Sequence, residues 1–317
     1  MALCPIDESG KFTAEGGEYQ GMFVKKANPV IIETLRDKGL MFHDGTVEHR
    51  YGHCWRCRSG ILFRNTDQWY LRVTEVKDLM LSEISRVKWT PEWAGSGREY
   101  DWTVNARDWC ISRQRYWGIP IPVWTCSNGH MRVVGSRDEL EGAEGYRPDM
   151  DLHRPWIDNV VLKCEHCGQE MKRVEDVLDV WFDAGVASWA ALGYPREKAE
   201  FERWWPARFI TEAHDQTRGW FYSQLGSSCI AFERAPYDQV LVHGWMLDPQ
   251  GLPMSKSKGN VIEPSKVMEE FGADACGSTF CGSRPPGRTS PSRTRASRAP
   301  ARPSTSCGTW PASPPCT

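Results

Sequence analysis

Residues 208–221, Arg208-Phe209-Ile210-Thr211-Glu212-Ala213-His214-Asp215-Gln216-Thr217-Arg218-Gly219-Trp220-Phe221, decide how the rest of the chain is read. Arg208 to Ala213 has the pattern of a strand, and Asp215 to Phe232 that of the helix after it, with Asp215 as N-cap. Val240 and Val242, alternating with Leu241 and His243 and ending at Gly244-Trp245-Met246, predict a second, buried strand. Strand, helix and strand with polar groups at the first junction mean an α/β fold that binds its ligand at the carboxyl ends of the strands. Glu212, Asp215 and Gln216 occupy that junction, although capping and solvation would place the same residue types there. His243 reads first as a core histidine and second, with Gly244, as a contact beneath a flat ligand, where glycine permits close approach.

On the N-terminal side, Asp179-Val180-Trp181-Phe182-Asp183-Ala184-Gly185 reads as an apolar strand ending at a glycine turn. On the C-terminal side, the turn residues Asp248-Pro249-Gln250-Gly251 lead into Pro253-Met254-Ser255-Lys256-Ser257-Lys258-Gly259-Asn260. Two ammonium groups, two hydroxyls and a glycine in so short a loop can wrap an anion, although a solvated turn has the same composition. Glu263-Pro264-Ser265 then starts a short helix that stops at Gly272.

Two stretches carry soft metal ligands. Cys126 and His130 flank a tight Ser127-Asn128-Gly129 turn, and Cys164-Glu165-His166-Cys167-Gly168 follows between strand-like runs. Paired turns presenting two ligands each are the pattern of a zinc ribbon, with Cys126, His130, Cys164 and Cys167 as ligands and His166 as a rival for the fourth place. Such an ion is structural rather than catalytic, its binding coupled to folding. Cys54 and Cys57, beside His53, have the same knuckle spacing but make only half a site.

Elsewhere, Asn28 as N-cap, Pro29 at the first helical position and Gly39 past the end predict a short amphipathic helix. Trp109, Arg113, Tyr116 and Trp117 share one helical face, which favours a core role for the rings. Arginines interleaved with aromatics could instead hold a ribose-phosphate backbone.

The 317 residues carry a formal charge of −2, which makes no electrostatic case for nucleic acid. That value hides a split: the last 42 residues hold six Arg and no acid, leaving −8 on the first 275. No apolar run is long enough to span a bilayer, no secretory leader follows Met1, and the C-x-x-C spacing suits a reducing compartment, so the expected location is cytoplasmic. Residues 276–317 contain no Leu, Ile, Val, Met, Lys, Asp or Glu and cannot bury enough apolar surface to fold. We read them as a disordered tail, an out-of-frame translation.

The strings PMSKSKGN (253–260), TEAHDQTRGWF (211–221), DVWFDAG (179–185) and ARDWCISRQRYWGIP (106–120) together resemble isoleucyl-tRNA synthetase, over roughly residues 1–275. The resemblance implies an α/β fold: part of the class I synthetase nucleotide-binding, Rossmann-like domain, with a remnant of the editing insertion and a zinc ribbon. It divides the chain into 1–100, the editing remnant; 101–123, the return to the catalytic core; 124–175, the ribbon; 176–275, the C-terminal half of the catalytic domain; and the tail. The implied reaction activates isoleucine with ATP and Mg2+ and passes it to tRNA(Ile), in a family typically monomeric. Glu212 would take the amino group, Asp215 and Gln216 the aminoacyl-adenylate, and Trp181 and Trp220 the walls of the side-chain pocket. Lys256 would be catalytic, with Met254, Ser255, Ser257 and Lys258 shaping the phosphate loop.

The match departs from the pattern in places. Pro253 replaces the lysine that opens the loop motif, Ala213 stands where bacterial members carry glycine, and no H-x-G-H occurs in the chain. The upstream editing segments and a partner pair for Cys54 and Cys57 are also missing, which puts deacylation of mischarged tRNA in doubt. With the first half of the nucleotide-binding fold and the anticodon-binding regions absent as well, the isolated chain is expected to be inactive. Gly118-Ile119-Pro120 after Tyr116-Trp117 looks isoleucyl rather than valyl, which leaves a valyl enzyme as runner-up and a zinc-ribbon RNA-binding module without catalysis as the alternative of another class. If Lys256 neutralises charge that builds on the phosphates, Lys256→Ala in a full-length enzyme slows activation about 100-fold or more with ATP affinity nearly unchanged. Single-turnover kinetics would check this, and equal losses in both would reduce the lysine to a ground-state contact.

Overall fold

Val240 and Val242, which the alternating pattern puts on the buried side, lie in the strand Gln239–His243 at the centre of a three-stranded parallel sheet. Ile210–Ala213 flanks it on one side, with Glu212 opposite Val242 and Ala213 opposite His243. Lys88–Thr90 flanks it on the other, with Trp89 opposite Val240. The computed structural model describes residues 4–54, 57–248, 250–255, 258–282 and 290–291, and the chain divides into two units, Met1–Gln68 and Trp69–Thr317.

Parallel neighbours need a crossover, and the helix Trp220–Phe232 supplies it between Ile210–Ala213 and Gln239–His243. Its Phe221, Leu225 and Cys229 pack with Val73, Met80 and Ile84, around the helix Lys77–Arg86, and with Tyr237, Val240 and Val242 to form the main core. Glu83 of Lys77–Arg86 is buried but paired, accepting the Ala235 N–H at 2.9 Å and Arg86 at 2.7 Å.

Glu99 is the exception. It is fully buried, and among the described residues neither carboxylate oxygen has a hydrogen-bond partner. Burial pushes its pKa well above the usual carboxylate value of 4.5. The folded chain therefore keeps a proton that the unfolded chain releases, so this residue's contribution to stability is present below the unfolded pKa and falls as pH rises through the folded one. Glu99→Met is expected to stabilise the protein by about 1–3 kcal/mol at neutral pH. Glu99→Gln is expected to flatten the pH dependence above pH 4.5. Urea unfolding across pH reads both, and an unchanged wild-type slope in Glu99→Gln would show that another group sets it.

Three expected elements differ in the second unit. Asp179–Gly185 is not a strand: the strand stops at Leu178, and Asp179 caps the helix Val180–Gly185 by accepting the Trp181 N–H at 3.0 Å. A buried carboxylate held also by Arg113 and by the Trp109 indole N–H leaves the chain no option to continue extended. The helix expected from Asp215 is broken, with a short 3-10 turn over His214–Arg218 and the α-helix starting only at Trp220. Gly219 makes the break with φ −147 and ψ −111, and a Cβ there would lie 2.6 Å from Gln216 Oε1.

The third difference is at 109–117, where no helix forms. Trp109–Cys110 pairs antiparallel with Tyr70–Leu71, and Ser112–Arg113 with Val177–Leu178. Trp109, in the first of these pairs, packs on the core, while Tyr116 and Trp117 fall in the bend after the second and are each 62% exposed.

The ribbon is a four-stranded antiparallel sheet in the order Met131–Val133, Val123–Cys126, Glu170–Arg173, Leu162–Lys163. It has its own core of Trp124, Leu140, Met150, Ile157, Val160 and Met171.

In the first unit the predicted helix exists but begins earlier, as Val24–Asp37 with Pro29 inside it. Pairing of Phe23 with Lys11 and the Val24 N–H donated to Gly10 at 3.0 Å fix an earlier start than the Asn28-Pro29 signal. Gly39, at φ 67, ends it as expected. The helix Pro264–Phe271 also matches, with Gly272 at φ 87 as C-cap. The helix Ala273–Gly282 carries regular structure into the segment expected to be disordered; apart from Ser290–Pro291 the rest of that tail lies outside the described residues. Among the described residues no helix is long and apolar enough to cross a membrane.

Candidate functional site

The carboxyl ends of Ile210–Ala213 and Gln239–His243 are joined by a run of hydrogen bonds that the fold creates. Trp245, two residues past the central strand, donates its indole N–H to Asp215 Oδ1 at 3.0 Å. Gln216 donates its side-chain amide to Asp215 Oδ2 at 3.1 Å, and its Oε1 accepts the Trp220 N–H at 2.8 Å. Gln216 thus does for the helix Trp220–Phe232 what an N-cap does, the role expected of Asp215.

Trp220 in turn donates its indole N–H to the Ala184 carbonyl at 3.0 Å, tying it to the helix that carries Trp181. The two helices approach backbone to backbone, because a Cβ on Gly185 would lie 3.0 Å from the Ser223 carbonyl oxygen. Trp181 Cη2 comes within 3.3 Å of where a Cβ of Gly219 would be. Asp215, Gln216, Trp181 and Trp220 are therefore brought together. Glu212 stands exposed in the strand Ile210–Ala213, one residue before its end at Ala213.

His243 is exposed rather than a core residue, with Nδ1 2.9 Å from the Gly244 carbonyl. Of the loop, Met254, Ser255 and Lys258 are described, while Lys256 and Ser257 lie outside the described residues. The organiser of its base is Asp248, which sequence reading passed over as a turn residue. Its carboxylate accepts the Asn260 amide at 2.8 Å and the Leu252 and Gln250 N–H groups, and these hold its pKa below the usual value. Asn260 in return accepts the Ser255 N–H at 2.9 Å.

The four ribbon ligands also converge. The ligand atoms of Cys126, His130, Cys164 and Cys167 all lie within 4.8 Å of one another. Cys126 Sγ is 3.8 Å from Cys167 Sγ, and His130 Nδ1 is 3.5 Å from the sulfurs of both Cys126 and Cys164. A tetrahedron with metal–sulfur bonds of about 2.3 Å has edges of about 3.8 Å, so the set fits a zinc-sized ion. Burial works against ionising Cys126, but backbone N–H groups of His130 and Asn128 outweigh it and leave the thiol below its ordinary value. His166 is exposed, its ring 5.1 Å from that of His130, and it is not one of the gathered ligands.

Cys54 and Cys57 share a tight turn, with the Arg58 N–H donated to the Cys54 carbonyl at 2.9 Å. Among the described residues no third Cys, His, Asp or Glu ligand joins them, and His53 turns its Nδ1 to the Tyr51 carbonyl. The Ser59 hydroxyl, 2.9 Å from Cys57 Sγ, is the largest influence bringing that thiol down to about 7.

The isoleucine–tRNA ligase of Methanopyrus kandleri is 58% identical over 287 residues, covering 86% of this chain and 27% of that protein. The isoleucine–tRNA ligase of Methanosarcina mazei is 57% identical over 273 residues, covering 86% of this chain and 26% of that protein. The chain spans about a quarter of the length of these curated relatives. Among solved structures, methionyl-tRNA synthetase of Mycobacterium tuberculosis bound by methionyl-adenylate has a TM-score of 0.52 at 17% identity, covering 77% of this chain and 39% of that one, a likeness of fold. The family model of class I tRNA synthetases (I, L, M and V) matches residues 15–289, and with parallel strands whose carboxyl ends meet as that fold requires, the chain belongs to the class I tRNA synthetases.

Proposed function

We propose that this chain is part of an isoleucine–tRNA ligase, contributing half of the site that forms isoleucyl-adenylate from isoleucine and ATP before transfer to tRNA(Ile). The observation that carries the reading is the junction of Asp215, Gln216, Trp181 and Trp220 at the ends of parallel strands, in a chain 57–58% identical to isoleucine–tRNA ligases. Glu212 holds the substrate ammonium, a fixed carboxylate suiting a charge that must not rotate. Asp215 and Gln216 hold the adenylate, and the two indoles give a branched aliphatic side chain rigid apolar walls. Lys256, with Met254, Ser255, Ser257 and Lys258, neutralises the phosphate charge that develops during activation.

Zinc on Cys126, His130, Cys164 and Cys167 supplies folding energy to the ribbon of residues 124–175, and no step of the reaction is assigned to it. Residues 176–275 form the C-terminal half of the adenylate-forming domain. A cytoplasmic monomer accords with the family.

The test is a full-length chain in which residues 69–275 replace the matching segment of the Methanopyrus kandleri relative. Isoleucine-dependent exchange of pyrophosphate into ATP is expected, with valine slower by about 10 to 200-fold, the discrimination one methylene allows, for which this family's isoleucine enzyme is the standard example. Exchange that prefers valine would reassign the substrate. No exchange, with tRNA still retained, would favour a binding module.

A further inference from the structure

We infer that Trp245 is a positioning residue for adenylate formation, fixing the Asp215 carboxylate from the base of the lysine-rich loop; this rests on the function proposed above. Both Asp215 oxygens are held by protein donors that come from different strand ends. Trp245, past the strand Gln239–His243, takes Oδ1 at 3.0 Å, and Gln216, past the strand Ile210–Ala213, takes Oδ2 at 3.1 Å. Two donors on two oxygens define the carboxylate plane and leave lone pairs able to accept from a further donor. The Trp245 ring also packs on His214 at 4.8 Å between centroids, so the neighbour of Asp215 is held along with it.

Packing alone gives little reason for an indole here, since Trp245 is 41% exposed and its N–H goes to a functional carboxylate. What Trp245 adds is a link to the loop. It leads directly into Met246–Leu247 and then Asp248, whose carboxylate ties Gln250, Leu252 and Asn260, with Asn260 holding Ser255. From Ser255 to Asp215 there is thus one path through Asn260, Asp248 and three residues of chain. The carboxylate assigned above to the adenylate is thereby tied through hydrogen bonds to the base of the loop.

The experiment uses the full-length chain described above. Trp245→Phe keeps a ring against His214 and removes only the N–H donor. Single-turnover adenylate formation is expected to slow about tenfold or more, the loss of one hydrogen bond to a charged group, while isoleucine and ATP dissociation constants change less than about threefold. In an Asp215→Ala background the same substitution should have no further effect, because its partner is gone. Trp245→His, which restores an N–H, should recover part of the rate even if Trp245→Phe proves less stable to heat. An undiminished rate in Trp245→Phe, or an equal loss with and without Asp215, overturns the inference alone. A parent chain with no isoleucine-dependent exchange overturns the functional reading and this inference with it.

Discussion

Replacing Cys164 with serine is expected to abolish zinc binding and to destabilise the ribbon. Cys164 is 3% exposed within the ribbon core, and its sulfur lies 3.5 Å from His130 Nδ1. A serine hydroxyl offers no thiolate at neutral pH and leaves a polar atom among Leu162, Met171 and Trp124. Structural zinc contributes on the order of 10–16 kcal/mol of binding free energy in small zinc-finger peptides. This ribbon also has an apolar core, so part of its order should survive and the loss should appear as a lower unfolding midpoint for this region. Metal analysis of purified protein should fall from about one zinc per chain to near zero, and a strong chelator acting on the parent should reproduce the unfolding. Cys57→Ser, in the half-site, should leave the zinc content unchanged. One zinc retained in Cys164→Ser would transfer the fourth ligand elsewhere, with His166 the first suspect.

Glu212→Gln should weaken isoleucine binding on the order of 100-fold in the full-length chain, the cost of removing one partner of a charge pair that becomes desolvated when the substrate seats. The substitution keeps the shape of the side chain and its place opposite Val242, so the fold should be untouched. ATP affinity should barely change, since in the proposed site the carboxylate meets the amino acid and not the nucleotide. Isoleucinol, which keeps the ammonium, should lose as much affinity as isoleucine, while an analogue without the amine should bind both variants equally. Equilibrium binding of the three ligands measures this. An unchanged dissociation constant for isoleucine would move the ammonium contact to another group and leave Glu212 as a solvated strand end.

Much of the site was legible because its signals are local. The alternation of Val240 and Val242, the Pro264 start and Gly272 stop of the last complete loop-to-helix step, and the two-ligand turns around Ser127-Asn128-Gly129 and Glu165-His166 each depend on neighbours a few residues away. The readings that failed depended on distant partners. Asp179 caps a helix instead of sitting in a strand because Arg113 and Trp109, 66 and 70 residues earlier, hold its carboxylate. Tyr116 and Trp117 share a face with Trp109 only if the segment is helical, and pairing of Ser112–Arg113 with Val177–Leu178 breaks it into a short strand and the bend that holds them. Gln216 and not Asp215 serves the helix start, because Gly219 interrupts the run and Trp245 and Gln216 together occupy Asp215.

By itself, the sequence determined which residues this protein can use: a strand–helix–strand unit with acids at its junction, two ligand turns, and a basic loop. Only the tertiary structure decided which of them meet. Antiparallel pairing of Val123–Cys126 with Glu170–Arg173 brings Cys126 and His130 to Cys164 and Cys167, and parallel pairing of Ile210–Ala213 with Gln239–His243 brings Trp245 to Asp215. The physical reason is that side-chain period and capping are set by covalent neighbours, whereas ladder hydrogen bonds and buried carboxylate partners are chosen among segments far apart in the chain, by packing that leaves no local mark.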